Sequence, residues 1–215
     1  RGVKGAFDRA VDAMRACKEY SIPVWGACVL TSKTLTLDRI EKFSELGGDL
    51  GVVINLNVVV PVPLEFTKDE TEVRSKYLVK NQNAAKLLRY ARKLPNVRVS
   101  RYLIKLLETG GNHTSKPVCR AASYSVTVMA DGTMIMPCMH YPELKADLNN
   151  GTKVRDAWYS EKASEIRRRC GRYPYCEGCL IHFLLEGSQI AVPRNLADFS
   201  IVLRDTITLF ERGLG

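Results

Sequence analysis

The first fifty residues alternate between helical and strand-type hydrophobic patterns. Residues 5–20 carry apolar side chains at the spacing of one helix face, and residues 24–30 form a short apolar run of strand type. A second helical pattern follows Thr36, whose hydroxyl can cap its first turn, and Gly47-Gly48 is its expected end. The pattern therefore predicts a helix, a strand and a helix in succession.

A longer apolar run continues this succession. Residues 52–60 are mostly Val, Ile and Leu, which is typical of a parallel strand covered on both faces. Asn55 and Asn57 share one face of it, because side chains alternate along a strand. Helical spacing over residues 69–93 follows, then a short strand and a helix within residues 97–109. This order predicts βα units on a parallel sheet.

The middle of the chain contains its strongest turn signal. Asp131-Gly132 lies between two runs rich in Val, Ile, Thr and Met within residues 125–137, and this arrangement predicts a β-hairpin. The two ends of a hairpin lie side by side. Cys119, shortly before the first strand, and Cys138, after the second, are therefore expected to be neighbours.

Five of the seven cysteines fall between Cys119 and Cys179. Cys176-x-x-Cys179 can supply two sulfurs from one loop. With the sulfurs of Cys119 and Cys138 this makes four thiolates that would meet at one metal-type site. Zinc and an iron–sulfur cluster both use four thiolates, and spacing does not separate them. A disulfide framework is the third interpretation, which the odd number of cysteines and the length of the chain disfavour.

The other cysteines and the histidines have simpler explanations. Cys17 and Cys28 lie on apolar faces of the first helix and strand, where a thiol behaves as a small hydrophobic group. Cys170 follows three arginines at the expected end of a helix, so we expect it to pack in the interior rather than bind metal. His113 is expected to be solvated, whereas His140 and His182 are expected to have structural roles.

Motifs of this region carry a resemblance to a known family. They are Cys119-x12-Gly132-x5-Cys138, a segment from Leu148 to Ala163 that contains Val154, Trp158 and Ser160, and Cys176-x-x-Cys179. Together they resemble the C-terminal extension of radical SAM enzymes, called a SPASM or, in its shorter form, a twitch domain. The gap from glycine to cysteine is one residue longer than usual there. The resemblance implies one auxiliary 4Fe-4S cluster, bound by Cys119, Cys138, Cys176 and Cys179.

The same resemblance implies a fold for the first half of the chain. Radical SAM cores are partial (β/α)6 barrels, in which residues 24–30 and 52–60 would be the fifth and sixth strands. The end of that sixth strand, at Val59, Val60 and Pro61, would pass near the adenine of S-adenosylmethionine (SAM). The C-x-x-x-C-x-x-C motif, which binds the SAM-cleaving cluster in the family, is absent from this sequence.

The predicted fold class is therefore α/β, with a portion of a (β/α) barrel followed by a small α+β twitch domain that contains a β-hairpin. The expected divisions are residues 1–110 for the barrel portion, 111–190 for the auxiliary cluster domain and 191–215 for a C-terminal helix. Because Arg1 stands directly ahead of a helical pattern, we expect a fragment whose catalytic motif lies upstream.

The formal net charge of +9 raises the question of nucleic-acid binding. Lys and Arg are spread along the chain instead of being grouped with aromatic residues, so a nucleic-acid partner is not expected. Residues 196–212 predict a terminal helix packed on the domain, and a helix at a membrane surface is the alternative for that pattern. The chain lacks the roughly twenty consecutive apolar residues of a membrane span, and its cysteine usage indicates the cytoplasm.

The resemblance implies the C-terminal portion of a radical SAM oxidoreductase, in which a 5′-deoxyadenosyl radical takes a hydrogen atom from the substrate. SAM and a second 4Fe-4S cluster would be the other cofactors of the intact enzyme, and ferredoxin or flavodoxin its electron donor. The substrate is open among peptide, sugar, tetrapyrrole and lipid, and no catalytic residue is identified. The alternative is a non-catalytic module that binds a partner and contains a structural four-cysteine zinc site.

Overall fold

The computed structural model describes residues 3–59, 79, 81–139, 141–191 and 196–213. In these residues, helices accompany two three-stranded sheets, one parallel and one antiparallel. The mixed α/β character is confirmed. No closed barrel is present in the described part of the chain, so the partial barrel and the divisions at residues 110 and 190 stay predictions.

The parallel sheet belongs to the first half of the chain and has the strand order β1-β2-β3. Its strands are β1 (Trp25–Leu30), β2 (Val53–Val58) and β3 (Val97–Arg98). The accompanying helices are α1 (Ala6–Glu19), α2 (Leu37–Leu50), α3 (Asn81–Ala91) and α4 (Arg101–Thr109). One face of the sheet packs in a first hydrophobic core, where Leu30, Ile54 and Leu56 are buried. The predicted succession of helices and parallel strands is confirmed.

In the part of the chain that the structure describes, the opposite face of this sheet is partly exposed, so the expected cover on both faces of residues 52–60 is not found there. Trp25 and Val29 of β1 are 71% and 58% exposed there. Asn55 and Asn57 of β2 are partly exposed on the same side. Burial alternates along β2 because successive side chains point to opposite faces, and a run of apolar residues does not report which face has a partner.

Helix α2 begins as predicted but runs past the two glycines expected to end it. The Thr36 hydroxyl accepts a hydrogen bond from the Arg39 amide at 3.4 Å, and Gly51, with a φ of 61°, closes the helix. Gly47 lies inside the helix, where a Cβ would stand 2.8 Å from the Cβ of Asn96. Glycine at this position allows close approach of the neighbouring loop rather than termination.

Two other helices differ in detail from the prediction. Helix α1 covers the expected residues, yet its apolar face is only partly covered: Val11 is buried, whereas Phe7 is 60% exposed. The first part of the helical pattern over residues 69–93, through residue 78, lies outside the described residues, and α3 ends at Ala91.

The antiparallel sheet confirms the predicted hairpin and extends it by one strand. Its strands are β4 (Thr127–Val128), β5 (Thr133–Cys138) and β6 (Tyr141–Asp147). At the turn, Gly132 has a φ of 82° and the Asp131 carboxylate accepts a hydrogen bond from the Thr133 amide at 2.9 Å. Strand β6 was not predicted, because its sequence is mostly polar and it gains its structure from pairing with β5.

A second hydrophobic core lies between this sheet and three short helices. They are α5 (Ala121–Tyr124), α6 (Val154–Tyr159) and α7 (Glu161–Arg169). Met134, Met136 and Ile166 are fully buried in this core. Trp158 packs against it with half-buried rings, and the guanidinium carbon of Arg167 stands 5.3 Å from its ring centroid. The segment preceding β4 is therefore partly helical, which the sequence analysis did not anticipate.

Two helices follow the last cysteine, α8 (His182–Ala191) and α9 (Leu196–Gly213). They pack against each other and against α4, where Asp198 pairs with Lys105 and Asp205 accepts a hydrogen bond from the Arg101 amide. The terminal helix is confirmed, whereas α8 was not predicted. None of the described helices has the length and the apolar character needed to cross a lipid bilayer.

Candidate metal centre

The segment after α4 contributes the first cysteine. Gly111 has a φ of 89°, which turns the chain. Its backbone lies so close to that of Cys179 that a Cβ on Gly111 would be 2.7 Å from the Cys179 carbonyl oxygen. The side-chain oxygen of Asn112 then accepts hydrogen bonds from the amides of Val118 at 3.0 Å and Cys119 at 3.4 Å. Cys119 packs against both hydrophobic cores and so lies where they meet.

Cys138 reaches the same place from the hairpin. It is the last residue of β5 and pairs with Tyr141 of β6, directly after a register irregularity between Met136 and Pro137. The strand that presents it is fixed by the two fully buried methionines of the second core, Met134 and Met136. Its location is therefore set by strand pairing and apolar packing.

The loop from Cys170 to Cys179 supplies the other three thiols. Cys170 directly follows the last residue of α7 and is 1% exposed. Gly171 follows with a φ of 80°, and a Cβ on it would stand 2.8 Å from the Cβ of Pro117. Residues Pro174–Cys176 form one 3-10 turn, after which the Cys179 amide donates to the Cys176 carbonyl at 3.2 Å. This turn brings the two cysteines of the C-x-x-C motif onto one loop.

All five cysteines line a single cavity of about 300 Å³. The sulfur atoms of Cys119 and Cys170 are 3.8 Å apart. Much of the remaining wall is apolar: Ala121, Pro137, Ile181, Leu184 and Leu185. Among the described residues, no three His, Cys, Asp or Glu side chains lie close enough together to hold one metal ion. The thiols thus surround a space, and the structure brings Cys170 to it together with the four predicted ligands.

The protonation of these thiols follows from their burial. Burial raises the pKa of Cys176 to about 12 and also raises the pKa of Cys179. The hydrogen bond between Cys119 and Cys170, together with burial, raises the pKa of Cys119, and the same hydrogen bond lowers the pKa of Cys170. Because the thiolate is the form that binds metal, binding here has to release protons. All seven cysteines lie in the described residues and none forms a disulfide.

Glu177 lies between the two cysteines of the C-x-x-C motif, and its side chain joins this loop to residues 113 and 114. Its carboxylate accepts hydrogen bonds from the amide and hydroxyl of Thr114, both at 2.7 Å, and lies 2.9 Å from Nδ1 of His113. These hydrogen bonds lower the pKa of Glu177 to about 2, and the hydrogen bond with Glu177 raises the pKa of His113. The expectation that His113 is solvated is confirmed, since its side chain is half exposed, and the structure adds that this side chain also contacts the cysteine loop through Glu177.

A column of stacked rings stands beside the cavity. Tyr141 and Tyr175, which both line it, stack with centroids 3.9 Å apart, and Tyr173 stacks on Tyr175 at 5.0 Å. The guanidinium of Arg169 caps the column 4.5 Å from the Tyr173 centroid. The rings link the end of α7 and the cysteine loop to the hairpin strand β6.

The remaining predicted residues lie elsewhere or outside the described part. Val59 donates its amide to the Leu30 carbonyl at 2.9 Å, beside the end of β1. Val60, Pro61 and His140 lie outside the described residues. Burial lowers the pKa of His182 to about 4, which is consistent with a structural role. Cys28 is partly buried against the first core, as expected.

Sequence reasoning missed Asn112, which is fully buried and lines the cavity. Its position after two glycines at the end of a helix is typical of an ordinary loop. The two glycines before it, Gly110 and Gly111, could have indicated that another backbone segment passes close by. The partners of the side chain were not readable from the sequence.

Comparison with known families gives one match that bears on the site. A family model described as SPASM, an iron-sulfur cluster-binding domain, matches residues 119–180. The matched segment contains the hairpin and all five cysteines of the cavity. It supports the auxiliary cluster domain and does not extend to a radical SAM core. Comparison with the curated proteins gives no significant match, and comparison with the solved structures gives none.

Proposed function

We propose that this chain binds an auxiliary 4Fe-4S cluster in the cysteine-lined cavity and forms the C-terminal portion of a radical SAM enzyme. The supporting observation is that five thiols surround one cavity of about 300 Å³ within the segment similar to the SPASM domain. About 10–15 Å³ of such volume suffices for one water molecule. The space therefore suits a group of several atoms better than a single ion, and four thiolates are the ligands of such a cluster.

The proposed ligands are Cys119, Cys138, Cys176 and Cys179. Five thiols are available for four ligand positions, so one of them serves another purpose. Cys170 fits that purpose best, because it is almost fully buried and its sulfur lies 3.8 Å from that of Cys119. In the metal-free protein the shifts in pKa make Cys119 the donor of this hydrogen bond. In the proposed site Cys119 is a thiolate ligand, so the direction reverses and the Cys170 S–H group donates to it; hydrogen bonds to ligand sulfurs are one means by which proteins set cluster potentials.

The cluster, when bound, supplies one-electron transfer. The chain itself holds and shields the site: Pro137, Ile181 and Leu185 present apolar surface to the cavity and reduce its access to water. The intact enzyme would use SAM, a second 4Fe-4S cluster and an electron donor such as ferredoxin or flavodoxin. It would carry out 5′-deoxyadenosyl-radical chemistry on a substrate that is not identified, in the cytoplasm.

Metal analysis tests the proposed cluster. Protein purified without oxygen should be brown and contain about four irons and four sulfides per chain. Cys176→Ala and Cys179→Ala should each lose that iron, whereas the matched variants Cys17→Ser and Cys28→Ser should keep it. Colourless protein with one zinc per chain, which takes up no iron on reconstitution, would instead establish the zinc-containing binding module.

A second test concerns SAM. The sequence has no C-x-x-x-C-x-x-C motif, so these 215 residues with their cluster intact should not cleave SAM in the presence of a reductant. Cleavage should appear when an upstream segment containing that motif is joined to the chain. Formation of 5′-deoxyadenosine by the chain alone would contradict this division of roles.

A further inference from the structure

We infer that Asn112 is the positioning residue of the cysteine site and arranges three cysteine-bearing segments before any metal is bound. The inference deepens the proposed function. Only the statement that the arranged cysteines serve to bind a cluster rests on that proposed function. Asn112 is 0% exposed. Its carboxamide and its own backbone groups make six hydrogen bonds, and all six reach residues that carry a cavity cysteine or stand next to one.

The side-chain oxygen holds the first segment. It accepts hydrogen bonds from the amides of Val118 and Cys119, at 3.0 and 3.4 Å. Two backbone amides that point to one oxygen fix the direction in which the Cys119 side chain leaves the chain. An acceptor of this kind is available from asparagine or aspartate.

The side-chain nitrogen holds the second and third segments. It donates to the carbonyl of Gly171, directly after Cys170, at 2.9 Å, and to the carbonyl of Cys176 at 3.0 Å. These two bonds need an NH₂ group with two hydrogens, which a carboxylate lacks. The backbone of Asn112 completes the contact with the C-x-x-C loop: its amide donates to the Cys179 carbonyl at 3.0 Å, and its carbonyl accepts from the Gly178 amide at 2.8 Å.

The hairpin is excluded from this arrangement. Asn112 makes none of the hydrogen bonds described for Cys138, which is held by pairing with β6 and by the second core. The inference therefore predicts that a change at Asn112 releases some cysteines and not others. General loss of packing would not have this selectivity.

Hydrogen exchange of the metal-free full chain tests the inference through Asn112→Asp. The carboxylate keeps both acceptor bonds but loses both donor bonds. The Gly171 carbonyl is then left without its donor, which costs about 1–3 kcal/mol for a buried group, whereas the Cys176 carbonyl keeps the hydrogen bond from the Cys179 amide. We expect the amides of Val118 and Cys119 to keep their protection and the amides of residues 171–181 to exchange at least about tenfold faster. The matched control is Asn149→Asp, which loses a side-chain bond to the Asp131 carbonyl in the hairpin turn and should leave residues 171–181 unchanged.

Two results with Asn112→Asp would overturn the inference. One is unchanged exchange of residues 171–181. The other is equally accelerated exchange of both segments while the first core keeps its protection. If the variant loses the first core as well, the wild-type protein decides: its Asn112 carboxamide protons should exchange slowly and show through-hydrogen-bond coupling to the carbonyl carbons of Gly171 and Cys176 in NMR spectra. Fast exchange without coupling would refute the inference.

Iron retention separates this inference from the proposed function. After reconstitution, Asn112→Asp should release iron to a chelator about 10–100-fold faster than Asn149→Asp, the usual range for residues that orient metal ligands. Its reduction potential should also become more negative, because the cavity wall gains a charge. Retention and potential equal to those of Asn149→Asp would refute the positioning role. A wild-type chain that takes up no iron at all would refute the proposed function and leave the exchange result standing.

Discussion

Two halves of the cysteine cavity are built by different forces. The loop half, which presents Cys119, Cys170, Cys176 and Cys179, is held by hydrogen bonds to backbone groups, with close glycine contacts where segments cross. The hairpin half presents Cys138 and is held by strand pairing and by methionines with no exposed surface.

This difference determines how each half fails. Hydrogen bonds are directional, and the loss of one partner releases a local segment, whereas a cavity in a packed core weakens every element around it. The loop half should therefore respond to exchanges that alter backbone approach or polarity. The hairpin half should respond to changes in side-chain volume. Four predictions follow this division, in order of decreasing effect.

Truncation of the hairpin core should have the largest effect. Met136→Ala removes a fully buried side chain, and we expect a loss of about 2–5 kcal/mol in the free energy of unfolding. Urea unfolding measures this loss, and alkylation of the metal-free protein should label Cys138 ahead of Cys176. Met139→Ala is the matched control, since Met139 is 38% exposed and should change stability by less than about 0.5 kcal/mol. Equal effects of the two changes would contradict the packing account.

Glycine exchanges should disturb the loop half. Gly111→Ala places a Cβ 2.7 Å from the Cys179 carbonyl oxygen at a φ of 89°, and we expect a loss of about 2–4 kcal/mol together with lower iron content. Gly151→Ala has a similar φ of 91° with nothing within 4 Å, so it measures backbone strain alone, about 1–2 kcal/mol. The difference in unfolding free energy between Gly111→Ala and Gly151→Ala measures the contribution of the close contact between Gly111 and the Cys179 carbonyl. A difference of zero would show that the loop moves to accommodate the added Cβ.

The packing of α8 against the start of α4 should depend on pH through Glu186 of α8. Burial raises the pKa of this carboxyl from 4.5 to about 7, while the Ser100 hydroxyl donates to it and Arg98 and Asp205 lie near. Between these values the folded protein binds more protons than the unfolded chain, so stability falls as pH rises through this window.

Glu186→Gln removes this titration and keeps an oxygen for the Ser100 hydroxyl. Because Arg98 partly compensates the carboxylate, we expect the variant to be about 1–2 kcal/mol more stable than wild type near pH 8 and equal to it near pH 4. Urea unfolding at the two pH values measures the difference. A constant difference at both would show that the carboxyl ionises normally.

Removal of Cys170 should have the smallest effect on metal content. Cys170→Ala should keep about four irons per chain, with a stability loss of about 1 kcal/mol from the missing buried sulfur. Cys119→Ala and Cys138→Ala should each lose iron. Iron analysis and electron paramagnetic resonance distinguish these results, and a structure with the Cys170 sulfur bonded to iron would show that the ligand assignment is wrong.

The features that sequence could predict are local. Asp131-Gly132 lies within its own hairpin, and the two cysteines of the C-x-x-C motif share one turn, so their chemistry is readable from adjacent residues. Gly47 marks the limit of such reasoning. It has the signature of a helix end, yet the deciding contact comes from Asn96, which is remote in sequence.

Asn112 could not be recognised for a related reason. Its side-chain nitrogen bonds to residues 59 and 64 positions away. The partner atoms are backbone groups, which every residue type provides and no sequence pattern displays. Strand β6 illustrates the same limit. It forms because it pairs with β5, and its own polar sequence does not predict a strand.

The two tryptophans of the chain report on different environments, one exposed to water and the other packed against the second core. Trp25 projects from the partly exposed face of the parallel sheet and already meets water in the folded state, so its emission should change little on unfolding. Trp158 packs against the second core under the Arg167 guanidinium, so its emission should shift to longer wavelength when that core opens. Fluorescence therefore follows the region that presents Cys138, whereas circular dichroism follows both sheets and all helices. Different midpoints from the two signals would reveal that the cysteine hairpin opens while the parallel sheet remains folded.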